Sequence, residues 1–311
     1  MTKRSMILAG LAASLWAVFT PAAALAAPNL CVTRAGTAAT APQPTHLDDS
    51  TPYVFKTVDG QDLRLHVFSP KSDQFPGKHP VIIFYFGGAW MVGTVDAFAP
   101  QARYFASRGA TVVLPEYRTF CRSGAGIVDE MNDAKDAVRW VRDHADELGV
   151  DPDRVVASGG SSGGHVALST AMFENLDPVK GRSAKPNLLV LFFPCVDETT
   201  EEERSYASDA IGAHGKDVSP LYNITPGLPP TIIFQGTADS LYSENKTYCE
   251  RARAAGDRCE FVEYKDAPHG FADPRSSGGK WYLPVLLGMD NYLSRAGYLS
   301  PLADVVPVAQ P

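Results

Sequence analysis

The sequence lacks the usual signatures of a metal site. It contains no C-x-x-C and no H-E-x-x-H motif, and its seven histidines and five cysteines form no cluster. Because structural and catalytic zinc sites need these residue types in close spacing, we expect no bound metal, and nothing indicates another cofactor. An apolar stretch of membrane length is also lacking, so stable membrane insertion is not expected. No internal repeat is evident.

Basic side chains are scarce relative to acidic ones. The 311 residues carry 28 Lys and Arg against 35 Asp and Glu, a formal net charge of −7. Such a balance argues against binding to nucleic acid or to an anionic membrane surface. A chain of this length suits one large α/β domain with a sizeable core, and it leaves the oligomeric state open.

The first residues have the pattern of an export signal. Lys3 and Arg4 give a positive start, residues 6–19 are apolar, and residues 24–26 read Ala-Leu-Ala, which is a small-x-small cleavage site. We therefore predict a signal peptide over residues 1–26 and export to the periplasm or to the outside of the cell. Cleavage would make the net charge two units more negative, because this segment contains no acidic residue.

Five cysteines in an exported chain suggest disulfide bonds. Cys249 and Cys259 flank the end of a predicted helix and the start of the next strand, so they are the pair that we expect to be bonded. Since the number of cysteines is odd, one thiol must stay reduced or bond to another chain.

Apolar patterns along the chain alternate between strand and helix. We predict strands at residues 53–58, 63–68, 81–86, 111–114, 155–157, 188–193, 231–235 and 260–264, and helices at 98–108, 128–148, 166–172, 243–255 and 281–292. This alternation indicates an α/β fold, a doubly wound and mostly parallel sheet of about eight strands with helices on both faces. Ligands bind such sheets at the carboxyl ends of the strands.

Three segments depart from this alternation. Residues 27–51 are rich in Ala, Thr and Pro and are predicted to be a flexible leader, and residues 299–311 are predicted to be a loose tail. Residues 197–226 are acidic at first and then rich in Gly and Pro, which favours a small cap-like excursion over the sheet rather than a second domain. The α/β domain is therefore predicted to cover residues 52–298.

The most informative motif is a glycine–serine turn between a strand and a helix. Residues 159–164 read Gly-Gly-Ser-Ser-Gly-Gly, directly after an apolar run. In this context a G-x-S-x-G motif places a nucleophilic serine on a strained turn above the sheet. Two registers fit, centred on Ser161 or on Ser162, and we favour Ser161. The alternative without catalysis is a glycine-rich turn that serves only the fold or binds a phosphate.

A serine hydroxyl attacks a carbonyl efficiently only when a base takes its proton and a third group orients that base. Asp239 and His269 follow the last two predicted strands, in the chain order Ser, Asp, His that this type of turn requires. We predict that His269 exchanges a proton with Ser161 and that Asp239 orients the His269 ring. Asp197, after the preceding strand, is a weaker candidate for the acid.

Donors for the oxyanion of a tetrahedral intermediate are predicted in a second glycine turn. Gly87, Gly88 and Ala89 follow the buried strand 81–86. Enzymes with a nucleophilic serine on a G-x-S-x-G turn carry a glycine-rich loop at this place. We predict that their backbone N–H groups, together with that of Ser162, form an oxyanion hole.

In combination these motifs resemble those of the esterase and lipase α/β-hydrolases of the hormone-sensitive-lipase and bacterial acetyl-esterase type. Residues 159–165 match the family pattern Gly-Asp/Gly-Ser-Ala-Gly-Gly-Asn/His, and residues 86–90 match His-Gly-Gly-Gly/Ala-Trp. The alignment also favours Ser161 as the nucleophile. Phe86 stands where the family has a histidine that braces the oxyanion loop, and Ser162 stands where it has alanine.

The resemblance implies a serine esterase that uses no cofactor. Because the family's large cap is absent or reduced to residues 197–226, the expected substrates are short-chain esters of small molecules, with acetylated carbohydrates as a natural form for an exported enzyme. One alternative is a peptidase of the prolyl-oligopeptidase type, although residues 27–51 are too few for the propeller of that family. Another is a non-catalytic binding protein of α/β-hydrolase fold, in which Phe86 marks a degraded oxyanion loop.

Overall fold

The structure, a computed structural model, describes residue 31, residues 40–71 and residues 73–301, without the side chains of residues 202–206. The predicted signal peptide lies outside the described residues, as do residues 302–311 of the predicted tail. In the part of the chain that is described, no helix has both the length and the apolar character needed to span a membrane.

One eight-stranded sheet organises the described residues. Its strands are β1 (Thr51–Val58), β2 (Gln61–Phe68), β3 (His79–Tyr85), β4 (Thr111–Pro115), β5 (Val150–Gly160), β6 (Leu188–Phe192), β7 (Thr231–Gly236) and β8 (Cys259–Tyr264). The α-helices of this part of the chain are α1 (Ala99–Ser107), α2 (Phe120–Ser123), α3 (Ile127–Asp143), α4 (Ala145–Leu148), α5 (Ser162–Ser169), α6 (Glu201–Ile211), α7 (Tyr242–Ala254) and α8 (Tyr282–Arg295). The eight predicted strands are confirmed, with shifts of a few residues at their ends.

The strand order across the sheet is β1-β2-β4-β3-β5-β6-β7-β8. The pairs β1–β2 and β2–β4 are antiparallel, and every other pair is parallel. All residues of β4, β6 and β7 are buried, as expected for apolar strands that are covered on both faces. The edge strand β1 is mostly exposed or half-buried. The predicted mostly parallel α/β sheet is therefore confirmed.

Residues 40–50 lie against the domain, which corrects part of the predicted flexible leader. Gln43 is only 7% exposed. Its side-chain oxygen accepts a hydrogen bond from the N–H of Val95 at 3.0 Å, and its Nε2 donates to the carbonyl of Gly93 at 3.3 Å. These partners are about fifty positions away in sequence, so no local pattern could have predicted the attachment.

Two disulfide bonds occur in the described residues. The predicted bond between Cys249 and Cys259 is confirmed, and a second bond joins Cys31 to Cys121 across a sequence separation of 90. Cys31 belongs to the predicted leader, so this covalent bond attaches that segment to α2. The fifth cysteine, Cys195, is buried and takes part in neither disulfide.

The excursion at residues 197–226 contains helix α6 and two short 3₁₀ turns, Gly215–Asp217 and Pro220–Tyr222. The sequence of α6 lacks an apolar period, so this helix is not among the predicted elements. The first two residues of the predicted loose tail pack on the domain, which corrects that prediction there. Leu299 is 7% exposed, and the carbonyl of Ser300 accepts a hydrogen bond from Arg108 at 2.6 Å.

Candidate active site

Ser161 occupies the turn between β5 and α5. Its φ and ψ are 57° and −130°, a conformation that costs a residue with a side chain about 1–3 kcal/mol. Hydrogen bonds to the neighbouring strand region hold the turn: the N–H of Ser161 donates to the carbonyl of Phe192, and the N–H of Cys195 donates to the carbonyl of Ser161, each at 3.1 Å. The strained turn is thus fixed from both sides of residue 161.

Glycines allow this turn to lie directly on the loop that follows β3. A Cβ at Gly163 would lie 2.3 Å from the carbonyl oxygens of Tyr85 and Phe86, and a Cβ at Gly87 would lie 2.7 Å from the carbonyl oxygen of Gly160. Backbone meets backbone at these points, so no side chain could move aside. The serine turn and the loop after β3 are therefore interlocked.

The structure places His269 within hydrogen-bond distance of both Ser161 and Asp239. The Oγ atom of Ser161 lies 3.0 Å from Nε2 of His269, and Nδ1 of His269 lies 3.1 and 3.0 Å from the two carboxylate oxygens of Asp239. The Asp239 side chain is fully buried, whereas the His269 side chain is 42% exposed. A carboxylate that accepts from Nδ1–H leaves Nε2 as the acceptor for the serine proton.

Leu241 fixes the carboxylate of Asp239 by donating its N–H to Oδ1 at 3.0 Å. The weaker candidate, Asp197, has other partners. Its carboxylate accepts hydrogen bonds from the hydroxyl groups of Thr199 at 2.5 Å and Tyr222 at 2.8 Å. Of the two acids, Asp239 is therefore the one that the fold places against the His269 ring.

Ser162 faces the glycine loop. Its side chain is completely buried, and its Oγ accepts a hydrogen bond from the N–H of Gly88 at 3.0 Å. The Gly88 amide is one of the predicted oxyanion donors, and it can serve an oxyanion only if it shares or leaves its hydrogen bond to Ser162. Gly87, Gly88 and Ala89 all line the cavity in front of Ser161.

Phe86, at the family's histidine position, is part of an aromatic stack. Its ring lies 4.0 Å from the ring of Tyr117, measured between centroids, with 12° between the planes. Gly93, at the far end of the glycine loop, approaches the same ring so closely that a Cβ there would lie 2.5 Å from it. The Phe86 ring therefore contacts Tyr117 on the domain and Gly93 at the other end of the loop, so both ends of the loop are held together.

His165 links the glycine loop to the excursion, a role that no motif in the sequence predicts. Its Nδ1 accepts a hydrogen bond from Nε1–H of Trp90 at 3.2 Å, and its Nε2 donates to the carbonyl of Val218 at 2.9 Å. Glu198 lies 3.8 Å from the same Nε2. Burial lowers the pKa of His165 to about 4, so the ring is neutral near pH 7 and keeps one donor and one acceptor nitrogen.

A cavity of about 600 Å³ opens in front of Ser161 and His269. Its walls are mainly apolar, and they are formed by Val92, Ala97, Phe98, Phe193, Leu241 and Ala272. Polar side chains from five other positions, Thr94, Gln101, Ser240, Asp273 and Arg275, also line it. Among the described residues, none from the excursion 197–226 lines this cavity. Such a volume suits a small organic molecule.

A family model described as an alpha/beta hydrolase fold matches residues 82–273. The chain belongs to the α/β-hydrolase family. The resemblance seen in the sequence motifs is thereby confirmed, and the matched range contains all residues of the Ser161–His269–Asp239 arrangement.

Curated relatives of this α/β-hydrolase include esterases from plants and bacteria. It is 27% identical over 252 residues to a probable isoprenylcysteine alpha-carbonyl methylesterase of Arabidopsis thaliana, a match that covers 70% of this chain and 51% of that protein. It is 28% identical over 227 residues to a carboxylesterase of Mycobacterium tuberculosis, covering 62% of this chain and 67% of the relative. The hydrolase thus spans about half of the first relative's length and two thirds of the second's.

Solved structures similar to this α/β-hydrolase include esterase 2 of Thermogutta terrifontis. The form phosphoramylated by tabun is 37% identical, has a TM-score of 0.76, and is matched over 82% of this chain and 98% of that chain. The butyrate-bound form of the same esterase is 37% identical with a TM-score of 0.76, matched over 82% and 97% of the two chains.

Proposed function

We propose that this α/β-hydrolase is a serine esterase that cleaves carboxylic esters through an acyl-enzyme. The observation that carries the proposal is the continuous line of hydrogen bonds from Ser161 through His269 to Asp239. Ser161 and His269 both line a cavity of about 600 Å³. Esterase relatives that cover most of the fold support the same reaction class.

In the first half of the reaction, Nε2 of His269 takes the hydroxyl proton as Oγ of Ser161 attacks the ester carbonyl carbon. The carbonyl π electrons move to oxygen, and backbone N–H groups stabilise the resulting oxyanion. Ala89 and Ser162 supply two of these donors, with Gly87 or Gly88 as a third. The C–O bond of the ester then breaks, and the His269 imidazolium gives its proton to the departing alcohol.

In the second half, water replaces the alcohol. Nε2 of His269 takes a proton from the water as it attacks the acyl carbonyl, and the proton returns to Oγ of Ser161 when the acid leaves. Asp239 stabilises the imidazolium through its hydrogen bonds to Nδ1. Because the Asp239 carboxylate is buried and also accepts from Leu241 N–H, it holds the ring in one orientation throughout.

The size and lining of the cavity favour esters with short acyl chains. A similar esterase is known with butyrate bound and with propionate bound, which supports acyl chains of this length. Acetylated carbohydrates would be a natural form of such substrates if residues 1–26 direct export, because polysaccharide esters are encountered outside the cell.

A fluorophosphonate probe tests the proposal, since it reacts covalently with an activated serine. Labelling of the wild-type protein that disappears in Ser161→Ala is expected, together with hydrolysis of nitrophenyl esters that declines from acetate and butyrate towards laurate. A folded protein that is neither labelled nor active on any ester would be a binding protein of the same fold instead. Acetylated xylan, assayed in parallel, tests the carbohydrate substrate.

A further inference from the structure

Gln101 is a polar side chain in an otherwise mainly apolar wall of the cavity. It lies on α1, is only 5% exposed, and lines the same cavity as Ser161 and His269. A glutamine that only filled space at this position could be replaced by leucine or methionine without leaving a polar group buried. Its presence therefore needs a hydrogen-bond partner to explain it.

The hydrogen bonds of the Gln101 amide are incomplete. Its Nε2 donates to the carbonyl of Ala272 across 3.4 Å, which is long for a hydrogen bond and therefore weak. Its Oε1 is buried and has no hydrogen-bond partner within the described part of the chain. Because the terminal amide of glutamine turns easily about its last bond, either group can swing towards a molecule in the cavity.

Gln101 lies next to the loop that carries His269. Ala272, to which it donates, follows His269 by three residues in the same loop, and Phe98, one helical turn before Gln101, also lines the cavity. Because Gln101 and Ser161 line the same cavity, a molecule whose ester carbonyl lies at Ser161 can extend to the amide. A substrate that ends in hydrocarbon would leave the Oε1 acceptor unpaired, whereas a hydroxyl group would satisfy it and could also accept from Nε2.

We propose that Gln101 is a specificity-determining residue that binds a hydroxyl group of the substrate, so that the preferred esters carry a hydroxyl beyond the ester group itself. The proposal rests on the esterase function proposed above and names its substrate class as hydroxylated short-chain esters. The hydroxyl can belong to the acyl part or to the alcohol part, and each source has its own pair of test substrates.

The experiment measures kcat/KM for two matched pairs of esters. The acyl pair is 4-nitrophenyl 3-hydroxybutyrate and 4-nitrophenyl butyrate, and the alcohol pair is glycerol monobutyrate and propyl butyrate. We expect the wild-type enzyme to prefer the hydroxylated member of one pair by about fivefold to a hundredfold, the range for satisfying one buried acceptor. The pair that shows the preference identifies the part of the substrate that Gln101 contacts.

Variants then assign the preference to residue 101. Gln101→Met keeps the approximate shape and removes both polar atoms, so the preference should fall towards one. Gln101→Glu keeps an oxygen at the end of the side chain, so a preference should remain. Gln61→Met makes the same replacement at an exposed position on β2 and should retain the wild-type ratio. Thermal melts check that each variant folds, and Gln101→Ala replaces Gln101→Met if that variant does not.

Two results would overturn this inference and leave the esterase function standing. Equal kcat/KM within both pairs for the active wild-type enzyme would refute it alone, as would a full preference that survives in Gln101→Met. A wild-type protein that hydrolyses none of the four esters and is not labelled by a fluorophosphonate would refute the esterase function itself, and this inference with it.

Discussion

The hydroxyl group of Tyr117 donates a hydrogen bond to the backbone carbonyl of Phe86. Phe86 directly precedes the glycine loop, so this bond anchors the start of the predicted oxyanion hole. Related enzymes carry a histidine at the Phe86 position, and its absence could be taken as a sign of a degraded loop. The stacked and hydrogen-bonded pair instead provides a different anchor for the same backbone, which favours a catalytic protein over a binding protein.

Removing that anchor should slow the reaction. In Tyr117→Phe the ring stack stays and only the hydroxyl is lost, so we expect kcat to fall by up to about tenfold, equivalent to the net free energy of one hydrogen bond, with little change in KM. Tyr85→Phe is the matched control, because the buried Tyr85 hydroxyl donates to the carbonyl of Ala134 on α3 at 3.0 Å. An equal fall in kcat for both variants would show that the Tyr117 bond acts on overall stability alone.

The two neighbouring serines should respond in opposite ways to replacement by alanine. Ser161→Ala removes the hydroxyl that lies 3.0 Å from His269 and should abolish ester hydrolysis and fluorophosphonate labelling. Ser162→Ala removes a buried hydroxyl whose observed partner is the amide of Gly88, so most of the activity should remain. Steady-state kinetics on 4-nitrophenyl butyrate decide the matter, and the reverse pattern would move the nucleophile to Ser162.

The acid that orients the histidine should be Asp239. Asp239→Asn turns the ring towards the wrong tautomer and should lower kcat by up to about ten-thousand-fold, as in other triads of this kind. Asp197→Asn is the control, because Asp197 bonds to Thr199 and Tyr222, and it should stay near the wild-type rate. If the Asp197 variant instead shows the large loss, the orienting role passes to that residue.

His165 should make the folded state sensitive to acid. Burial lowers its pKa to about 4, below the value near 6.5 of an exposed histidine. The unfolded chain therefore binds this proton at higher pH than the folded chain does. The free energy of unfolding should fall as the pH decreases from about 6.5 to about 4, by up to about 3 kcal/mol from this residue, with no further loss below that range.

Denaturant unfolding at several pH values measures this dependence. His165→Gln cannot titrate, so its unfolding free energy should change less between pH 6.5 and 4 than that of the wild type. His46→Gln replaces an exposed histidine in the same way and should keep the wild-type slope. An unchanged slope in the His165 variant would mean that other groups cause the acid sensitivity.

The strands could be predicted because their cause is local. Runs such as those of β3 and β6 are apolar from end to end, which is the pattern of a strand covered on both faces. Helix α6 has no such pattern and was not predicted. The attachment of residues 40–50 depends on contacts with residues about fifty positions away. Local sequence patterns do not predict contacts between residues so far apart in the chain.

In the candidate site too, features with a local cause could be predicted and contacts between distant residues could not. Ser161, Asp239 and His269 could be selected from the sequence because each follows a predicted strand, and parallel strands end at one edge of a sheet. Their catalytic roles remain predictions. The contact between Ser162 and Gly88 was out of reach, since it joins two loops that meet only in the folded chain. The incomplete hydrogen bonds of Gln101 could not be predicted either, because they depend on residues that are distant in the sequence.

The contact of Gly163 with the carbonyl oxygens of Tyr85 and Phe86 has a consequence for protein engineering. The turn at Ser161 and the loop after β3, which are the proposed nucleophile turn and oxyanion loop, cannot be redesigned one at a time, because any side chain added at the junction would push the two apart. Libraries aimed at new substrates should leave this junction intact and diversify cavity walls such as Val92 and Ala97. Substrate selectivity can then change while the turn at Ser161 and the loop after β3 keep their relative positions.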